Sequence, residues 1–241
     1  MTGSRSQDVK HILKKLESLG SEQTVKIFRK HGADGEMFGV KVADLKKVLR
    51  EIRGDQELAI ALWDTGNSDA MYLASLVADG AQMTQKQLDH WAKTAWWYML
   101  SEYAVPFVAA ENPACFQLST KWMRSRKESI ASSGWASYAN GIGVWNDEDL
   151  DKDEIATLLA DIPGKIDKAT GRVRYCMNGF VICVGTYIPS LTKAAKATAK
   201  SIGKVDVDMG ETSCKVPLAS AAIEKVESMG RIGKKRKNAK C

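Results

Sequence analysis

The sequence is poor in the residues that build metal, redox and membrane chemistry. Its 241 residues include five cysteines (Cys115, Cys176, Cys183, Cys214 and Cys241), an odd number with no CxxC pair. That argues against a disulfide framework or a zinc ribbon. Cys176 and Cys183 lie seven apart in an apolar run and read as reduced core residues. The three histidines, His11, His31 and His90, are scattered and make no zinc motif, so no metal site and no cofactor is expected. No uncharged apolar run is long enough to span a bilayer, and "MTGSRSQDVKHILKK" has no signal-peptide core. A cytoplasmic protein is the default expectation. Polar–apolar alternation is also missing. Only "GKVDVDMGETSCKVP", residues 203–217, is β-like, and it reads as a loop or short hairpin. Its "DVDMGE" lacks the length and ligand spacing of a calcium loop and reads as a turn with Gly210 at positive φ.

What is present is helical periodicity almost throughout. Ser6 and Ser21 stand where N-caps belong, and Gly20 and Gly32 where helices end. Thr84 opens another segment. Asn112 and Pro113 read as a cap and a first helical residue. Pro106 is expected to kink or end its helix, and Pro163 to follow one. About a dozen helices of roughly 10–16 residues result, joined by short turns. Pairs recur at about 35–45 residues, the range of helical repeats. Stacked pairs share a continuous core and curve. The fold class predicted is therefore all-α, a curved helical-repeat solenoid over residues 1–230, with a compact irregular bundle as the alternative.

Charge is sorted along the chain. The net +6 resides in "RIGKKRKNAKC", residues 231–241, which has six basic residues and no acid; such a tail reads as disordered. The rest balances at 29 basic against 29 acidic residues, but 54–111 carries −6 and 165–205 carries +7. A neutral body with one basic side suits a polyanion partner; lysine-rich solvated helices are the plainer alternative. Arg124, Arg126 and Lys127 fall on a turn. Lys165, Lys168, Arg172 and Arg174 fall near the start of a helix, and Lys193, Lys196, Lys200 and Lys204 on one helical face. Rows of long cations are what phosphate contacts need.

Three stretches carry a resemblance: "FGVKVADLKKVLREI", "ALWDTGNSDAMYLASLVAD" with "MTQKQLDHWAKTAWWYMLSEY", and "YCMNGFVICVGTYIPSLTKAAKATAKSIGKVDVDMGETSCKVP". Together they resemble the bacterial DNA alkylation repair family, HEAT-like helical-repeat alkylpurine DNA glycosylases and their relatives. The resemblance implies a C-shaped HEAT-like solenoid with a concave basic groove that holds double-stranded DNA. It also implies, in active members, excision of cationic N3- or N7-alkylpurines. That chemistry wants a carboxylate beside the developing oxocarbenium and aromatic faces for the cationic base.

The carry-over is uneven. The family's tryptophan–aspartate pair maps onto Trp97 and Ser101, so the carboxylate is replaced by a hydroxyl. The arginine that would clamp a phosphate maps near Ser137 and Tyr138, and is missing. A further tryptophan maps onto Phe180. Glu102 is a substitute carboxylate only if a register shift turns it into the groove, because it points about 100° further round an α-helix. Trp96 and Trp97, as neighbours on a helix, cannot share a face. The expected base-contacting residues are therefore Trp97, Tyr138 and Phe180, and the expected backbone contacts the arginines and lysines of 124–127 and 165–174. The function expected is DNA binding by a monomer, to alkylated or structurally unusual duplex, with the glycosylase step in doubt. An active glycosylase and a protein–protein scaffold are the alternatives.

Overall fold

The structure is a computed structural model and describes residues 3–240. It contains thirteen α-helices and no strand among those residues. They are α1 (Gly3–Leu19), α2 (Glu22–Lys30), α3 (Val42–Ile52), α4 (Gln56–Trp63), α5 (Ser68–Val77), α6 (Gln85–Thr94) and α7 (Val105–Ala109). There follow α8 (Cys115–Met123), α9 (Glu128–Ile142), α10 (Lys152–Lys165), α11 (Gly171–Tyr187), α12 (Thr192–Ile202) and α13 (Ala219–Ser228). The segment 203–217 is irregular coil.

Local chemistry explains most boundaries. The Ser21 hydroxyl accepts from Thr24 N at 3.3 Å. Thr84 and Gln87 form a reciprocal capping box, which satisfies two donors that a helix start leaves unpaired. Three expectations fail locally. Ser6 lies inside α1, which begins at Gly3. Asn112 is not a helix cap: its Oδ1 accepts from Ala114 N, and its Nδ2 donates to Gly80 O at 2.7 Å and Met83 O at 2.8 Å. That tie draws the 80–83 turn onto α7 so closely that a Cβ on Gly80 would sit 2.0 Å from Val108 O. Pro163 lies within the last turn of α10, where it forgoes only one ladder bond.

Two large apolar clusters form the core. One gathers buried residues from Ile12 to Trp122, and includes the parallel stack of Trp63 on Trp91, 4.0 Å between centroids. The other runs from Ala131 to Ile223. Helices pack on their sequence neighbours, α4 on α5, α8 on α9, α11 on α12, and α9 is the hub, touching α7, α8 and α11.

The basic tail is not a free appendage. Arg236 N donates to Gly143 O at 2.8 Å, Lys235 Nζ to Ile142 O at 2.9 Å, and the Arg236 guanidinium to Asn140 O at 3.1 Å. These are the carbonyls at the C-terminal end of α9, where the helix dipole favours cations. Lys235 pairs with Asp147 at 2.9 Å, Lys240 with Glu111 at 3.1 Å, and Ala239 is buried. Composition predicts disorder here; the carbonyls at the end of α9 supply partners that composition does not reveal. Truncation after Arg231 is therefore expected to lower stability by about 1–2 kcal/mol, a fall in Tm of roughly 2–8 °C. A thermal melt identical to that of the full chain would make the tail passive.

Candidate functional site

The stretch "DTGNSD" builds the scaffold of the site. Asn67 Oδ1 accepts from Asp69 N and Ala70 N and caps α5. The buried Asp69 carboxylate then accepts three backbone N–H groups from the 38–40 loop: Phe38 at 2.6 Å, Gly39 at 3.0 Å and Val40 at 2.9 Å. Between them, Ser68 N donates to Glu36 O, and Ser68 Oγ accepts from Trp97 Nε1 at 2.8 Å. Gly66 O accepts from Trp96 Nε1 at 3.2 Å. Both indole N–H groups are thereby spent on one turn, which fixes the two rings.

Trp96 and Trp97 do not lie on a helix. They occupy the irregular link 95–97 after α6, and the rings stack at 5.9 Å with 23° between planes. Both line one cavity of about 280 Å³, together with Tyr98, Ser101 and His31. The α9 wall of that cavity is Glu128, Ser129 and Ser132; α11 contributes Arg172, and the 203–217 segment contributes Asp208, Met209 and Gly210. Gly210 (φ 72°) packs so tightly on α2 that a Cβ would be 2.2 Å from Lys30 O, and Glu211 N donates to the same carbonyl at 3.1 Å. The positive φ anticipated at this turn is present, and the contact docks the segment beside the cavity.

A π-helical turn, Leu100–Ala104, follows the tryptophans. It supplies a register shift of the kind that would swing Glu102 round. The result is an ion pair. Arg172 Nε donates to Glu102 Oε1 at 2.7 Å and Nη2 to Oε2, with the Glu102 side chain 2% and the Arg172 side chain 18% exposed. The guanidinium lies 4.4 Å from the Tyr98 ring centroid and 4.5 Å from that of Tyr175. Its Nη1 approaches Met209 Sδ, and its backbone N–H donates to Glu128 Oε1 at 3.0 Å. Burial raises the Glu102 pKa, and the guanidinium opposes that shift. Burial acts to lower the Arg172 pKa, but the bonds and charge of Glu102 outweigh it and the pKa is raised. The two-pronged contact with the guanidinium makes Glu102 a bound counter-ion rather than a free base.

The other predicted residues divide. Trp97, Ser101 and Arg172 meet at the cavity. Tyr138 and Phe180 do not, and this corrects their placement as base contacts. Tyr138 is 1% exposed, donates to Glu154 Oε2 at 2.8 Å and packs on Phe116; Phe180 is fully buried against Trp135 and Tyr138. Desolvation and the Glu154 bond hold the Tyr138 phenol far above its usual range. Arg124, Arg126, Lys127 and Lys168 are exposed. Lys127 Nζ reaches Lys93 O at 2.8 Å, and Lys165 pairs with Asp161 at 2.6 Å. Arg174 is half-buried on Ala169 O and Asp167 O. Lys196 on α12 pairs with Glu227, and Lys204, just beyond the helix, with Asp206, while Lys193 and Lys200 are exposed. Sequence reasoning missed Tyr98, Glu128, Ser129, Ser132 and Tyr175. The one available signal was the spacing of Arg172 and Tyr175, three apart on a helix.

Among the described residues, no group of three His, Cys, Asp or Glu side chains is placed to hold a metal ion. No helix there is long and apolar enough to cross a membrane. Cys176 is buried on α11 and Cys183 half-buried; Cys214 is exposed, and Cys241 lies outside the described residues.

Comparison with known proteins agrees with this architecture. Residues 12–173 match the family model of the DNA alkylation repair enzyme. Lin0241 of Listeria innocua is 33% identical over 219 residues, covering 88% of this chain and 94% of that one. Lmo0209 of Listeria monocytogenes is 35% identical over the same length, with the same coverage. A solved structure from a family of proteins related to the HEAT-like repeat DNA glycosylases, with affinity for branched DNA structures, superimposes with a TM-score of 0.87. It is 34% identical and covers 96% of this chain and 99% of its own. The helix pairs described above are thus a HEAT-like repeat fold, and the chain belongs to the DNA alkylation repair enzyme family.

Proposed function

We propose that this protein is a DNA-binding member of its family that holds branched duplex DNA by its phosphates and does not excise bases. The observation that carries the reading is the state of the two positions near Trp97 where a catalytic carboxylate is sought, 101 and 102. Position 101 is a buried serine, whose hydroxyl contacts Trp97 O at 3.3 Å. Position 102 is a carboxylate already neutralised by Arg172. Neither offers the free negative charge that would stabilise the positive charge a departing base leaves on the sugar. The affinity for branched DNA of the similar solved structure supports the choice of substrate. In this reading a cytoplasmic monomer lays a basic concave face on the duplex arms, with Arg124, Arg126, Lys127 and Lys168 on phosphates and Trp97 at the branch.

Four such contacts predict that log K falls with log salt at a slope of about −3.6, at about −0.9 per phosphate. Replacing Arg124, Arg126 and Lys127 by glutamine is expected to shallow the slope by roughly one per cation. Release of 3-methyladenine or 7-methylguanine from alkylated DNA is expected to stay at background. One observation favours the enzyme instead: Glu128 places a second carboxylate on the cavity wall. Base release that vanishes in Glu128→Gln would establish that alternative. Absence of DNA affinity even at low salt would leave a protein-binding scaffold.

A further inference from the structure

We infer that the docked C-terminal tail is a second phosphate-binding surface, built by Arg231, Lys234 and Arg236, which holds a second duplex arm of a branched DNA; this rests on the branched-DNA reading above. The tail runs past the C-terminal ends of α11 and α9. Gly233 N donates to Thr186 O at 2.8 Å, and Arg236 N to Gly143 O at 2.8 Å. Helix C-termini carry partial negative charge and repel anions. Left bare, this edge would turn a phosphate away. The tail lays cations across it and reverses the sign.

The tail cations divide into two groups. Lys235 and Lys240 face inward. Lys235 bonds Ile142 O and pairs with Asp147; Lys240 bonds Ala78 O and pairs with Glu111. Arg231 and Lys234 are exposed, and their side chains have no hydrogen bond or ion pair among the described residues. Arg236 is exposed and commits one guanidinium nitrogen, Nη2, to Asn140, which leaves the donors of its other two nitrogens. Burial raises the Tyr187 pKa, and Arg236 and Arg231 oppose that shift; both therefore lie beside the end of α11. Lys237 is exposed too, but it shares a hollow with the acids Asp79, Glu111 and Asp149. Because the inward group already pins the backbone, a phosphate meets a preformed cation row and less ordering entropy is lost on binding.

Position assigns this surface to a second arm. Arg124, Arg126, Lys127 and Lys168 all precede the starts of α9 and α11, at the Trp97 end. The tail cations stand at the other end. Along α11, Arg172 at the cavity and Tyr187 at the tail are fifteen residues apart, about 22 Å at the rise of an α-helix. Between them lies a hollow lined by Phe107, Ala136, Ala139, Tyr175, Gly179 and Cys183. Its charged members are Glu102, held by Arg172, and Arg236 itself. A duplex carries charge without a break, one per ~1.7 Å of its axis, so a single backbone laid along this face would meet an apolar gap. Two cationic ends with an uncharged middle fit two backbones that diverge.

The test uses the full chain, a three-way DNA junction and a linear duplex of matching length, with Kd read across a salt series. The wild-type slope of log K on log salt is expected to be steeper on the junction than on the duplex by about 2.7, at about 0.9 for each tail cation. Arg231→Gln with Lys234→Gln is expected to remove about 1.8 of that difference and to leave the duplex slope as it was. Because neither side chain has a partner, Tm should not move. Lys234→Glu alone is an independent check and should weaken junction binding more than duplex binding. Equal wild-type slopes on the two DNAs overturn the second surface while leaving DNA binding through 124–127 intact. A double variant that loses slope equally on both overturns the assignment to a second arm, and one that loses none overturns the contact. No affinity for either DNA, even at low salt, overturns the underlying reading and the tail surface with it.

Discussion

Glu102→Ala is expected to cost about 3–5 kcal/mol of stability, the usual penalty for stranding one partner of a buried ion pair. For a chain of this size that is a fall in Tm of roughly 6–20 °C. The reason is the position of Arg172, which is held between the rings of Tyr98 and Tyr175 with its charge compensated by Glu102. Without the carboxylate, a guanidinium remains in a site with little water to solvate it. Arg172→Met alone is expected to destabilise for the mirror-image reason. The double variant Glu102→Leu with Arg172→Met removes both charges and should recover most of the loss, because a buried pair is often no better than an apolar one of similar volume. A double-mutant cycle by thermal or denaturant unfolding measures this coupling. The same cycle separates structure from chemistry. A carboxylate free to act as a base would be removed with little change in Tm, and such a result would show that the pair is not formed.

Asp69→Ala is expected to have a loss of comparable size, about 3–5 kcal/mol. The Asp69 carboxylate is the acceptor for three consecutive backbone donors in a loop without regular structure. Alanine supplies none, and buried N–H groups without partners are costly. Hydrogen exchange localises the effect: the amides of Phe38, Gly39 and Val40 should lose protection well before those of α8 and α9. Because Ser68 and Gly66 hold the two indoles from the same turn, tryptophan emission should also shift to the red. Asp69→Asn keeps one acceptor oxygen and turns an amide donor towards N–H groups, so it should be destabilised as well. Protection at 38–40 that survives in Asp69→Ala would remove the carboxylate from its assigned role.

The "DTGNSD" turn explains why a short stretch can be so distinctive in sequence. Its residues are chosen for a cap, a staple and two indole acceptors at once, so each position is chemically constrained. Their purpose is not legible from the stretch itself, because the donors come from residues 38–40 and 96–97. Tyr138 fails for the opposite reason. Counting along the chain places it near a missing arginine, but on α9 the residues that line the cavity are 128, 129 and 132, about two to three turns earlier. That offset moves the side chain from the cavity wall into the core. Glu102 fails through backbone geometry. An α-helical projection turns it aside, and the π-turn that redirects it has no compositional mark.

Read alone, the chain determined its helices, several of its caps and its all-α class. These depend on hydrogen bonds and side-chain periods that span three or four residues. Only the tertiary structure decided that Glu102 is neutralised, that Arg172 belongs to the cavity and that the basic tail is docked. Those outcomes join residues 70 apart in the ion pair and 93 apart where Lys235 reaches α9. They exist only once the helix pairs have stacked, because burial, not sequence neighbourhood, sets the partner each charge must find.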